Sequence, residues 1–172
     1  MRPAGLTQRL DMAARHVLPV VLTLLLLLLS LLPLKLPGLA SIMPPLALMG
    51  VFYWGVYRPD LLNGLSAFLI GFVYDLLAGL PIGVSALVLL LVHGFAHARR
   101  RSFLSHGFLV VWTGFAVTSA GAFLVTWLLV SILAGMATDP WPAFTQFLMT
   151  VLFFPPLARL MGLTHQAFVK DE

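Results

Sequence analysis

The chain has 172 residues, of which 60% are hydrophobic and 9% charged. A water-soluble domain carries about 25% charged residues, so the polar surface is too small for a soluble ball of this length, and the composition is that of an all-α integral membrane protein. The net charge of +4 does not indicate nucleic acid, because the few basic residues lie between apolar runs, and the absence of cysteine excludes thiol catalysis, disulfides and Cys-ligated metal.

Residues 1–15 hold Leu6 and Leu10 one turn apart beside Arg9 and Arg15. They read as a frayed cytoplasmic end in preference to a weak interfacial helix. His16–Leu34 is 19 uncharged residues, longer than a signal-peptide core of about 7–15. It therefore predicts a first spanning helix that stays attached.

Leu36–Tyr57 gives a second run of 22 residues. Twelve residues from Pro45 to Tyr57 reach only about 18 Å, so Pro44-Pro45 is expected inside this helix, as a kink. Pro155-Pro156 is expected to kink the last helix in the same way, with neighbouring helices satisfying the freed carbonyls. Tyr53, Trp54, Tyr57, Trp112 and Trp141 fall near span ends, where aromatic belts form.

Leu61–Ala98 is 38 residues with only Asp75 charged, too long for one crossing. Gly79-Leu-Pro81-Ile-Gly83 is a turn signal at its middle, giving helices near 61–78 and 82–98. Ser102–Thr138 reads as one long helix near 107–134, and Ala143–Leu163 as the sixth. The domain plan is thus a cytoplasmic segment 1–15, a membrane domain 16–163 and a cytoplasmic tail 164–172.

Charge parity tests the count. With six crossings and a cytoplasmic N-terminus, nine of the ten basic residues lie inside and only Lys35 outside, as the positive-inside rule requires. Merging 61–98 into one span leaves four inside and six outside. Arg58, Arg99, Arg100 and Arg101 are accordingly read as inner-face topology anchors, with a contact of Arg99-Arg100-Arg101 to a cytoplasmic protein or to anionic lipid as the alternative.

An acid in such surroundings marks function by default. Gly71, Asp75, Gly79 and Gly83 share a four-residue spacing, so Gly71 and Asp75 stack on one helix face where a second helix can approach closely. Two readings of Asp75 stay open. It meets a partner helix or ligand, or it caps the Gly79–Pro81–Gly83 turn and ties two helices of this chain together. Burial favours the neutral, protonated acid unless a donor is near; Tyr74 and Ser85 are candidate donors, and Lys35 is the one basic candidate on that side. Gly114, Thr118 and Gly121 form a second small-residue face for packing or for a partner. His93 and His97 are one turn apart, but no third metal ligand accompanies them, so they read as packing or interfacial residues. No catalytic constellation is evident, since Ser85 and the histidines lie at different depths, and midplane polar groups are too sparse (Ser30, Ser119, Thr126) for the converging groups of a transport site.

Tyr53-Trp54, Arg58-Pro59, Gly71-Phe-Val-Tyr-Asp75-Leu-Leu-Ala-Gly79-Leu-Pro81-Ile-Gly83 and the Leu-rich helix ending in Arg99–Arg101 resemble the bacterial rod shape-determining protein MreD family. Outside this stretch the likeness is one of hydropathy only. The resemblance implies an inner-membrane, non-enzymatic adaptor of the cell-elongation machinery that organises lateral peptidoglycan synthesis, without a cofactor. Its implied partners are a bitopic MreC-like protein, the RodA glycosyltransferase with its class B penicillin-binding protein, and MreB indirectly. The family is also similar in fold to the S components of energy-coupling-factor transporters, which makes a small-molecule-binding or transport subunit the alternative.

Overall fold

Among the described residues, each long apolar run contains a helix. A computed structural model of the protein describes residues 6–32 and 43–169, with side chains over 17–32 and 43–163. These residues form six helices and no strand: α1 (Leu6–Leu31), α2 (Leu46–Tyr57), α3 (Gly64–Ala78), α4 (Val84–Ser105), α5 (Phe108–Ala134) and α6 (Trp141–Val169). Phe108–Ala134 and Trp141–Leu163 are long and apolar enough to cross a membrane, whereas Val17–Leu31, Leu46–Tyr57 and Gly64–Ala78 are shorter apolar helices. Leu65, Leu109, Val117, Ile132 and Trp141 are 66–72% exposed. So many large apolar side chains facing outward suit a lipid or protein environment better than water.

Three expectations are corrected. Residues 6–15 are helical and not frayed: α1 is continuous from Leu6, consistent with the helix formers Gln8, Arg9, Leu10, Met12, Ala13 and Ala14 in its first turns. The pair Pro44-Pro45 does not kink a helix. It precedes one, and Pro45 is the N-cap of α2. The short helix is tolerated because it is not a lipid-facing element. Leu46 to Val56 are all buried, as expected of a helix that is apolar all round. The non-helical backbone before it is partly satisfied from within the bundle, where Gln146 Nε2 of α6 donates to the Met43 carbonyl at 2.7 Å. Finally, Tyr53 and Trp54 are core, not belt, residues, at 4% and 0% exposure.

The core sits around α2. Phe52 of α2 packs against Phe103 of α4, Phe115 of α5 and Phe154 of α6, with ring centroids 5.2–5.8 Å apart. Phe115 and Phe154 stack at 3.9 Å. α1 closes another side, where Thr23 lies so near Gly50 that an added Cβ would stand 3.1 Å from its methyl. Gly55 allows the same approach to α4, where a Cβ would meet that of Ala96 at 3.0 Å.

Pro155 and Pro156 do lie inside α6. Pro155 lacks the N–H that would bond the Val151 carbonyl four residues back. Trp112 of α5 supplies the replacement, its indole Nε1 donating to that carbonyl at 3.0 Å. Trp112 is thus a cross-helix donor, not simply a belt residue.

Candidate functional site

The α3–α4 hairpin gathers Gly71, Asp75, Gly79, Pro81 and Gly83, whereas Gly114 and Gly121 lie on α5 and Arg58 at the end of α2. Asn63 caps α3, its side-chain oxygen accepting from the Ser66 amide at 2.8 Å. Gly79 ends α3 at φ 67°, a left-handed conformation that glycine adopts without the Cβ penalty. The Gly79 and Leu80 amides both donate to the Asp75 carbonyl. Gly83, at φ 100°, opens α4.

The Asp75 carboxylate, 1% exposed, then reaches across the turn. Its oxygens accept from the amides of Gly83 at 2.9 Å, Ser85 at 2.9 Å and Ala86 at 3.4 Å. The Val84 amide goes to the Pro81 carbonyl at 3.3 Å. The opening amides of α4 (those normally left without intrahelical partners) are therefore accounted for, and an anionic group at a helix N-terminus is also favoured by the helix dipole. Of the two readings of Asp75, the geometry matches the internal cap. Ser85 contributes through its backbone amide, and Lys35 lies outside the described residues.

One turn before Asp75, Gly71 brings the two backbones together. A Cβ there would stand 2.5 Å from the Ala86 Cα and from the Ser85 carbonyl oxygen. Gly64 continues this face toward Leu90, and Ala67 is fully buried on it. The second small-residue face is not uniform. A Cβ on Gly114 would collide with the Phe103 ring, whereas one on Gly121 would meet nothing within 4 Å.

The other end of α4 is tied by two further polar contacts. His93 Nε2 donates to the Leu62 carbonyl at 2.7 Å. That carbonyl is available because Asn63 has taken the Ser66 amide. Arg100 caps the C-terminus of α2, with Nε to the Val56 carbonyl at 3.0 Å and Nη2 to that of Tyr57 at 3.3 Å. Arg99 and Arg101 are exposed, and Arg58 pairs with Asp60 at 3.2 Å. Hence the arginines expected to act together divide into one internal cap, one local ion pair and two free cations among the described residues. Nothing in the run Arg99-Arg100-Arg101 distinguishes the middle residue; its 44-residue reach to Val56 was invisible in the sequence.

The His93 and His97 rings are parallel with centroids 6.3 Å apart. Among the described residues no three His, Cys, Asp or Glu side chains assemble as a metal site. The hydroxyls of Thr118, Ser119 and Thr126 bond back to carbonyls of their own helix. A cavity of about 340 Å³ lies behind the hairpin, lined by Tyr74, Ser85, Thr126 and Gln146 among apolar side chains from α2 to α6.

An all-helical body with two helices of membrane-crossing length, and polar groups used to fasten helices to one another, defines the class: a membrane-associated helical protein. The family model described as rod shape-determining protein MreD matches residues 11–164, and the chain belongs to that family. Its role is accordingly in determining rod shape, in a family of shape-determining proteins and not of known enzymes. No curated protein and no solved structure gave a match.

Proposed function

We propose that the chain is a non-enzymatic adaptor of the elongation complex, crossing the bacterial inner membrane six times with both termini cytoplasmic. It would hold an MreC-like bitopic protein and the RodA–class B penicillin-binding protein synthase in register, with MreB engaged indirectly. The observation that carries this reading is the use of the polar groups. The Asp75 carboxylate, the His93 ring, the Arg100 guanidinium and the Trp112 indole are each bonded to backbone groups of another segment, so the polar side chains fasten the bundle and outward surface is largely apolar. In this proposal Gly71, Asp75, Gly79, Pro81 and Gly83 act by fixing the α3–α4 hairpin, not by touching a partner.

The nine-to-one distribution of basic residues supports the topology. Cysteines placed at Leu80 and Thr138 should react with an impermeant thiol reagent from the periplasm, and one at Ser102 should not. A second reading, a small-molecule-binding subunit similar to S components, draws on the cavity beside Tyr74 and Gln146. Depletion in a rod-shaped host decides between them. Rounding of the cells, reversed by the wild-type chain, supports the adaptor. Unchanged shape with loss of uptake of a vitamin or metal rejects it in favour of transport.

A further inference from the structure

α4 and α5 run antiparallel and leave a crevice between them on the outside of the bundle. One hollow of about 240 Å³ has Val88 and Val92 at its floor, Phe95 and Val117 on its walls, and Gly121 at one side. An adjoining hollow of about 350 Å³ shares Phe95 and Val117 and continues to Arg99, Ser102 and Thr113. The residues on α4 recur at helical spacing, so they form one face. From Val88 to Arg99 this face runs about 16 Å at the helical rise. Three features distinguish it from ordinary lipid-facing surface. Gly121 leaves open space where any other residue would project. The apolar part is concave. Its one charged lining residue, Arg99, stands at one end, is exposed, and has no acidic partner among the described residues, where the only ion pair is Arg58–Asp60.

We propose that this crevice binds an anionic phospholipid, with an acyl chain along Phe95, Val117 and Gly121 and the phosphate at Arg99 beside Ser102. The assignment rests on the membrane-spanning reading above, which puts Arg99 at a membrane–water boundary. Charge complementarity selects the occupant. A guanidinium is a five-donor fork that matches phosphate oxygens, and an apolar trough about 16 Å long leading away from it suits a hydrocarbon chain. A transmembrane helix of a partner would cover the trough but gain nothing from the cation at its end unless it carried an acid there.

The test is native mass spectrometry of the full-length protein in mild detergent, titrated with phosphatidylglycerol or phosphatidylcholine. The wild-type chain should retain phosphatidylglycerol over phosphatidylcholine by about fivefold, the effect of one basic residue near an anionic group. Arg99→Gln should abolish the preference, while Arg101→Gln, which removes an equal charge outside the crevice, should keep it. Gly121→Leu should lower retention of both lipids; Val117→Trp, at a 67% exposed position, fills the same space if the first variant misfolds. Equal loss from Arg99→Gln and Arg101→Gln would overturn the site in favour of diffuse attraction. Equal competition by free glycerol phosphate would overturn the acyl-chain part. A photo-crosslinker at Leu91, which also lines the first hollow, that captures polypeptide in cells, not lipid, would overturn the occupant. None of these readouts depends on sidedness, so an error in topology would appear separately, as labelling of the Ser102 cysteine from outside.

Discussion

The α3–α4 and α5–α6 pairs begin with the same device and finish differently. Each first helix ends on a left-handed glycine, Gly79 at φ 67° and Gly135 at φ 68°. In each, an aspartate then serves the N-terminus of the second helix. Asp75 does so from the preceding helix, buried, with three backbone amides. Asp139 does so locally, exposed, with the Trp141 amide at 3.0 Å. The first pair meets backbone to backbone at Gly71 and Ala86, whereas the second meets through stacked Phe115 and Phe154 and the Trp112 indole. A cap that spans two helices fixes their relative height and rotation, which a local cap does not. The contrast makes the first pair the rigid reference of the bundle and the second an arm held by side-chain volume.

The strongest attack on that contrast is Gly71→Leu. It drives a side chain into the Ala86 backbone, which has no flexible end to yield, and should cost about 4 kcal/mol or more. Leu69→Phe, on the exposed face of the same helix, should stay within about 0.5 kcal/mol. Thermal denaturation in detergent separates them, and equal damage would refute the face assignment. Next comes Asp75→Leu, which strands the opening amides of α4 in a buried site. A loss of about 3 kcal/mol is expected, with Asp75→Asn, which keeps one acceptor oxygen, roughly half as harmful. A Leu variant as stable as wild type would show that the amides find other partners.

Trp112→Phe should cost about 1 kcal/mol by orphaning the Val151 carbonyl. In a Pro155→Ala background the helix regains an N–H at position 155 and the penalty should shrink; a double-mutant cycle with no coupling would sever the link between that indole and that proline. The smallest effect is Asp139→Ala. An exposed local cap should be worth about 0.5–1 kcal/mol, and a loss rivalling that of Asp75→Asn would erase the distinction between the two turns.

Much of the hairpin was legible because its signals are local. The glycine–proline turn, the four-residue spacing of Gly71 and Asp75, and the run lengths all lie within a few turns of one another. The bundle around it was less so. Tyr53 and Trp54 end an apolar run whether they anchor at an interface or fill a core, and only the helices packed around α2 decide. The length that a span needs argues for Pro44-Pro45 inside a helix. That argument lapses for a segment enclosed by protein. Gly55, which lets α2 approach Ala96, carries no sequence signal, because Val51, Phe52, Arg58 and Pro59 stand at helical spacing from it. The Trp112–Val151 bond joins residues 39 apart. Its only sequence trace is that Pro155 must leave some carbonyl unserved.

The enclosure of α2 also bears on how the protein is made. A segment with Leu46 to Val56 all buried and a length of about 18 Å is a poor candidate for entering a bilayer alone and waiting there. Its enclosure is complete only with α4 and α6, which are synthesised later, packed against it beside α1. On the six-crossing topology proposed above, insertion and tertiary folding of this helix become one event, so nascent chains released before α4 should leave residues 46–57 open to protease, and chains released after α6 should not.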